Sequence, residues 1–181
     1  MLLLTVNLIL LARPMLSVAS SDGCSASVYR VLDDVRRSSR YSLSGGEEPL
    51  CDDMLPPGWY RFMQSGQSRV LSTTCPGQHD TCGTESPAWL DTSTLRNVTR
   101  DTLEGEVCVS WSWPGMSDCC LFTIPVTIKY CQDFVSYYLQ PTQACNVAYC
   151  SHDTKDGLML IPKGSLHGKT QLHCFIVLNF W

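Results

Sequence analysis

Cys119 and Cys120 stand side by side in Ser117-Asp118-Cys119-Cys120-Leu121-Phe122, at the head of an apolar run. A bridge between direct neighbours needs an eight-membered ring and a strained peptide, so each cysteine must find a partner elsewhere. On a strand, successive side chains leave on opposite faces. An adjacent pair on a strand can therefore staple two different parts of the chain to one short stretch. The chain carries eleven cysteines in 181 residues. At that density cysteine forms either a disulfide framework in an oxidising compartment or a set of metal ligands in a reducing one.

The N-terminus favours oxidation. Leu2 to Ala12 is apolar apart from Thr5 and Asn7. That run is too short to span a bilayer and matches a signal-peptide core. Ser17-Val18-Ala19-Ser20 offers small residues for cleavage after Ala19 or Ser20, although no Lys or Arg precedes the apolar run. Residues 1–20 are read as a signal peptide and the protein as secreted. No later segment reaches the roughly 20 apolar residues of a transmembrane helix. Metal ligation is not expected: no C-x2-C pair is present, and the gaps from Cys75 to Cys82 and Cys145 to Cys150 are not zinc spacings. A net charge of −4 argues against a nucleic-acid partner, which would call for a basic face.

The body reads as α+β and disulfide-rich, with short antiparallel strands and one N-terminal helix. Val28, Leu32 and Val35 fall at i, i+4 and i+7, and Asp33 precedes Arg37 by four, so the spacing predicts a helix over Cys24 to Ser38. Ser39 to Pro49 is a polar loop. Gly58 to Met63, Ser68 to Thr73 and Glu106 to Trp111 are short β-branched or aromatic runs bounded by turn residues. The clearest strand follows the cysteine pair. Cys120, Phe122, Ile124, Val126, Ile128 and Tyr130 form an apolar face, opposite Cys119, Leu121, Thr123, Pro125, Thr127 and Lys129. Pro125 has no N–H for a ladder, which predicts an edge position or a bulge there. Phe134 to Gln140 reads as an antiparallel neighbour. Cys108 alternates with Val107, Val109 and Trp111, so it should face away from the core that Cys120 faces unless a bulge intervenes.

The segments LCDDMLPPGWYRF, TTCPGQHDTCGTESPAWL, EVCVSWSW, DCCLF and CNVAYC keep an order and flanking aromatics that resemble the eight-cysteine, uromodulin-type domain. The run CCLFTIPVTIKYCQDFVSYYLQPTQAC is more similar still to the version of that module in von Willebrand factor D and EGF domain-containing protein. The resemblance covers Cys51 to Cys150. Cys24 and Cys131 extend it to the ten-cysteine version, so residues 21–150 form the cysteine-rich domain and every cysteine except Cys174 is placed. It implies the pairing Cys24–Cys131, Cys51–Cys145, Cys75–Cys119, Cys82–Cys150 and Cys108–Cys120. It also implies an extracellular recognition or adhesion module without enzymatic activity or cofactor, whose partners are extracellular proteins or glycans. The other reading open is a structural spacer in a longer extracellular protein; a secreted hydrolase is a more remote one.

Asn97-Val98-Thr99 is the only N-x-[ST] sequon and predicts a glycan on Asn97. Members of the resembled family with a decoy role present mannose-rich glycans to bacterial fimbrial adhesins, from sequons after the WL motif and in the YYL segment. Asp91 and Gln140 stand in those places here, so those glycans do not transfer. Trp59, Tyr60, Trp89, Trp111 and Trp113 could form a binding platform, but packing beside disulfides is the expected role. His79, His152, His167 and His173 are scattered without a catalytic motif, and bridged cysteines supply no thiolate. The tail, residues 151–181, has no counterpart in the module and holds Cys174. Two readings stand for it: a truncated or mis-spliced gene, or a short secreted form with an intermolecular disulfide through Cys174.

Overall fold

The computed structural model describes residues 22–76, 80–113 and 115–154, with Trp113 described for its backbone alone. The expected signal peptide, most of the tail, Cys174, His79, His167 and His173 lie outside the described residues.

The described residues form nine strands and one 3-10 turn; the strands are β1 (Arg30–Leu32), β2 (Gly58–Gln64), β3 (Gln67–Leu71), β4 (Ser86–Asn97), β5 (Thr102–Trp113), β6 (Met116–Tyr130), β7 (Val135–Leu139), β8 (Val147–Tyr149) and β9 (Ser151–Asp153). They form one sheet in the order β8-β4-β5-β6-β7-β2-β3-β9, with β1 added in parallel to β2. β8 and β9, at its two ends, are successive segments of one run of chain. β8 lies parallel to β4, and β9 antiparallel to β3. The sheet thus closes on itself through Cys150, whose N–H donates to the Ala88 carbonyl at 2.9 Å and whose carbonyl accepts from Ser72 N–H at 2.8 Å. Closure removes the exposed edges that an open sheet would leave.

The inward face of each strand supplies the core. Tyr60 and Phe62, Leu71, Ala88 and Leu90, Val107 and Val109, Ile124, Val126 and Ile128, Tyr137 and Leu139, and Val147 and Tyr149 are all buried together. Along β6 the even-numbered residues from Ile124 to Ile128 point in, as period-two patterning requires. Pro125 is exposed and pairs with Glu106 of β5 only, because β7 joins β6 no earlier than Thr127. The missing N–H therefore falls where β6 has a neighbour on one side alone.

The fold is nearly all β, and the α+β expectation is corrected. No helix spans Cys24 to Ser38. Turns are followed by β1, which pairs Arg30 with Tyr60 and Leu32 with Phe62, and then by one 3-10 turn, Val35–Arg37. The i, i+4, i+7 residues do not share a buried stripe: Val35 is 51% exposed, and Val31 between them is 49% exposed. The backbone of β2 offers hydrogen bonds that a lone short helix cannot match. Three β-branched valines also lower the helical propensity of the segment. Asp33 does not pair with Arg37. Instead Asp34 caps the 3-10 turn, accepting from Arg36 N–H at 2.9 Å, and Arg37 reaches inward to Asp52. The strands also outrun the expected short lengths, since β4 and β5 have 12 residues each and β6 has 15.

Candidate functional site

Among the described residues, five disulfides brace the closed sheet. Cys24–Cys131 ties the N-terminal turns to the β6–β7 connection, with Cα atoms 5.5 Å apart. Cys51–Cys145 joins the loops before β2 and β8 at 5.0 Å. Cys75–Cys119 draws the loop after β3 to β6 at 5.6 Å, and Cys82–Cys150 fastens the loop before β4 to the β8–β9 junction at 5.5 Å. Cys108–Cys120 links β5 to β6 at 4.7 Å. Taken singly, the four bridges separated by 44 to 107 residues each restrict the unfolded chain by about 4–5 kcal/mol. Their loops overlap, so these values do not add.

Two bulges shape the surface. In β6, Val109 pairs with Phe122 and Trp111 with Asp118, so Ser110 alone faces Cys119, Cys120 and Leu121. This bulge turns Cys120 out of the inward row of Ile124 and Ile128 and toward Cys108, which stands across from Thr123 on the outer row. Trp89 is the cross-strand neighbour of Cys108, and its indole N–H donates to the Cys119 carbonyl at 2.8 Å. The second bulge lies in β4. Asp91 pairs with Glu106 and Arg96 with Glu104, so Gly105 faces Thr92, Ser93, Thr94 and Leu95. Side chains build it. Asp91 Oδ1 accepts from Ser93 N–H at 2.9 Å, and Thr94 Oγ1 donates to Asp91 O at 2.7 Å and accepts from Glu106 N–H at 2.9 Å. A Cβ on Gly105 would sit 2.7 Å from Leu95 Cδ2 and 3.2 Å from Thr94 Oγ1, so a larger residue there would make the side chains of the bulge shift. A glycine inside the strand-like run Glu104-Gly105-Glu106-Val107 was the available signal for it.

The aromatic residues pack against the body. Tyr60 is buried, and Trp59 meets Tyr138 edge to face at 5.6 Å beneath the N-terminal segment. Gly23 lies so close that a Cβ there would fall 2.5 Å from Trp59 Cδ2. Trp111 is half-buried beyond the β6 bulge. Arg61 lies over the Phe134 ring at 4.1 Å, with Tyr29 edge-on to that ring.

Buried charge holds the ends of the described chain together, a feature the sequence pattern missed. Arg37 and Asp52 form a two-pronged pair, both contacts 2.7 Å, and Asp52 Oδ2 also accepts Tyr149 N–H at 2.9 Å. Arg69 shares the inward parity of Leu71. It donates to Ser151 Oγ and to the Asp153 carboxylate, carrying β9 onto β3. Arginine in step with an inward leucine was the only sequence trace of this second anchor.

The β4–β5 hairpin tip, Asn97 to Asp101, is exposed throughout. Thr99 Oγ1 donates to Asp101 Oδ1 at 2.9 Å, and Lys129 Nζ reaches Asp101 Oδ2 at 2.8 Å. The Lys129 ammonium and the Thr99 hydroxyl hold the Asp101 carboxyl down at about 2. The sequon thus sits on a tip tied to β6.

His152 is buried on β9. Cys51, Asp53 and Cys145 bring potential ligand atoms within 4.8 Å of one another, but both sulfurs belong to a disulfide and offer no thiolate. No helix among the described residues is long and apolar enough to cross a membrane. Among the described residues, a cavity of about 90 Å³ opens between β3, β4, β6, β7 and β9, and another depression lies on the outer side of the β4 bulge at Thr94, Arg96, Gly105, Glu106 and Pro125.

A domain-level match and matches to whole proteins point the same way. Residues 60–151 match the family described as the uromodulin-like domain. The chain is 31% identical over 140 residues to pancreatic secretory granule membrane major glycoprotein GP2 of Canis lupus familiaris, covering 77% of this chain and 25% of that protein. It is 32% identical over 131 residues to uromodulin of Rattus norvegicus, covering 72% and 18%. Against GP2 of Homo sapiens it is 33% identical over 124 residues, covering 68% and 21%. The chain therefore spans a quarter or less of the length of these relatives.

Proposed function

Because the chain belongs to the uromodulin-like domain family, we propose that it works as a secreted, non-enzymatic recognition module that presents a glycan on Asn97. The observation that carries this reading is the exposed β4–β5 tip, held to β6 by the Lys129–Asp101 pair. A glycan there would project from a fixed position on an exposed tip, whose Asp101 carbonyl accepts from Tyr130 N–H at 2.8 Å. The bridges support an oxidising, extracellular setting, since cytosolic reductants would keep such thiols free. Every cysteine among the described residues is bridged, which withholds the nucleophile that a cysteine hydrolase would need.

An open tip is accessible to trimming enzymes, so the Asn97 glycan is processed and mannose-specific fimbrial adhesins bind weakly. Protein from a secretory host tests this by digestion with an enzyme selective for high-mannose chains, beside an adhesin pull-down. Thr99→Ala should remove the glycan mass and leave the unfolding midpoint nearly unchanged. High-mannose sensitivity with adhesin binding that Thr99→Ala abolishes would replace this reading with a decoy role at a new position. A binding screen against glycans and extracellular proteins separates recognition from spacing, because a spacer gives no saturable ligand.

A further inference from the structure

We propose that the cavity at the β3–β4–β6–β7 end of the closed sheet binds a small uncharged molecule with an apolar body and one hydroxyl, of the phenol or branched-alcohol class. Protein interiors are packed with few voids larger than a water, so a space of about 90 Å³ cut into the core has a structural cause. The cause here is the β4 bulge. Thr92 to Leu95 leave the ladder, and Thr92 and Leu95 line the cavity beside Leu90. Bulges gather at the rims of closed sheets and beside binding sites, where they re-aim side chains. Asp91, Ser93 and Thr94 hold this one open through their own hydrogen bonds.

The lining selects the ligand. Leu71, Leu90, Ile128 and Tyr137 come from the buried core, and Leu95 and Val135 close the sides. An engineered apolar cavity of about 150 Å³ accepts benzene. The smaller space here takes the edge of a ring or one branched alkyl group, with the remainder of the molecule in the opening. Tyr130 lines the same space half-buried, and its hydroxyl makes no hydrogen bond with another described side chain, so it can meet a hydroxyl on the ligand. Three ionisable side chains besides Tyr130 and Tyr137 line the cavity, and one of them, His152, is buried on β9. The Arg69 guanidinium beside the cavity is already taken up by Asp153, Ser151 and Ser38, and the exposed Asp133 carboxylate stands at the rim.

The test is a methyl NMR titration of the secreted full chain with 4-methylphenol, and separately with 4-methylbenzoate. Saturable shifts at the methyls of Leu71, Leu90 and Ile128 are expected from the phenol and none from the benzoate. Leu95→Phe fills the cavity and Thr92→Trp covers its mouth from an exposed position. Either should weaken phenol binding by about tenfold or more. The two sites differ in burial, so a folding failure at Leu95 leaves the Thr92 variant to decide. Shifts that do not saturate, that spread over the outer face, or that persist in the folded variant would overturn the proposal. So would benzoate binding as tightly as the phenol.

Discussion

Replacing Asp52 with alanine should destabilise this domain more than any single change on its outer face. In the native fold Asp52 is buried and accepts both arms of Arg37 at 2.7 Å and the Tyr149 N–H at 2.9 Å. Asp52→Ala leaves the Arg37 guanidinium buried with the Tyr149 carbonyl at 3.3 Å as its remaining contact there. Breaking a buried pair from one side costs about 3–5 kcal/mol, because the surviving charge keeps its desolvation penalty. The orphaned Tyr149 N–H adds about 1–3 kcal/mol if water cannot reach it. These overlap, so a total near 4 kcal/mol is expected. For a domain of this size that corresponds to roughly 10–20 °C in Tm. Denaturant unfolding with disulfides intact measures it. Asp52→Asn keeps an acceptor for Tyr149 and should fall between. The double variant Arg37→Met with Asp52→Leu removes both charges and should recover most of the loss. A loss below about 1 kcal/mol in Asp52→Ala, or a double variant as unstable as the single, would refute the reasoning.

Two further outcomes follow from local geometry. The Asp101 carboxyl titrates at about 2 instead of its ordinary 3.8, so its hold on the hairpin tip is complete above 3.8 and is lost as pH falls through 2. Carboxyl NMR titration should show that pKa, and Lys129→Ala should move it back toward 3.8. Gly23→Ala should cost about 1–3 kcal/mol through overpacking against Trp59, visible in the unfolding midpoint and in tryptophan fluorescence.

Strand β6 was legible because its alternation is long and regular. From Ile124 to Ile128 each inward residue is apolar, and no local alternative competes. Strand β4, Ser86–Asn97, was not read as a strand at all. Asp91 to Asn97 is polar and reads as loop, and only pairing with β5 across Gly105 makes it strand. The N-terminal segment misled for a related reason. Its three apolar residues fit a helical spacing, but the pattern cannot register that β2 has an open side for Arg30–Leu32. The aromatic residues expected beside the disulfides include Trp89, which bonds to the Cys119 carbonyl. The cavity had no sequence signature, since its walls come from five separate strands and the turns between them.

The sequence by itself determined the family, the disulfide-rich class and the inward face of the longest strand. These rest on residue identity, order and spacing along the chain, which are local and survive without a partner. Only the tertiary structure decided that the sheet closes through Cys150, that Arg37 and Arg69 turn inward, and that Cys120 swings out to meet Cys108. Each of those depends on backbone hydrogen bonds and buried charges supplied by residues tens of positions away. Such long-range partners override local propensity once their entropy of closure has been met.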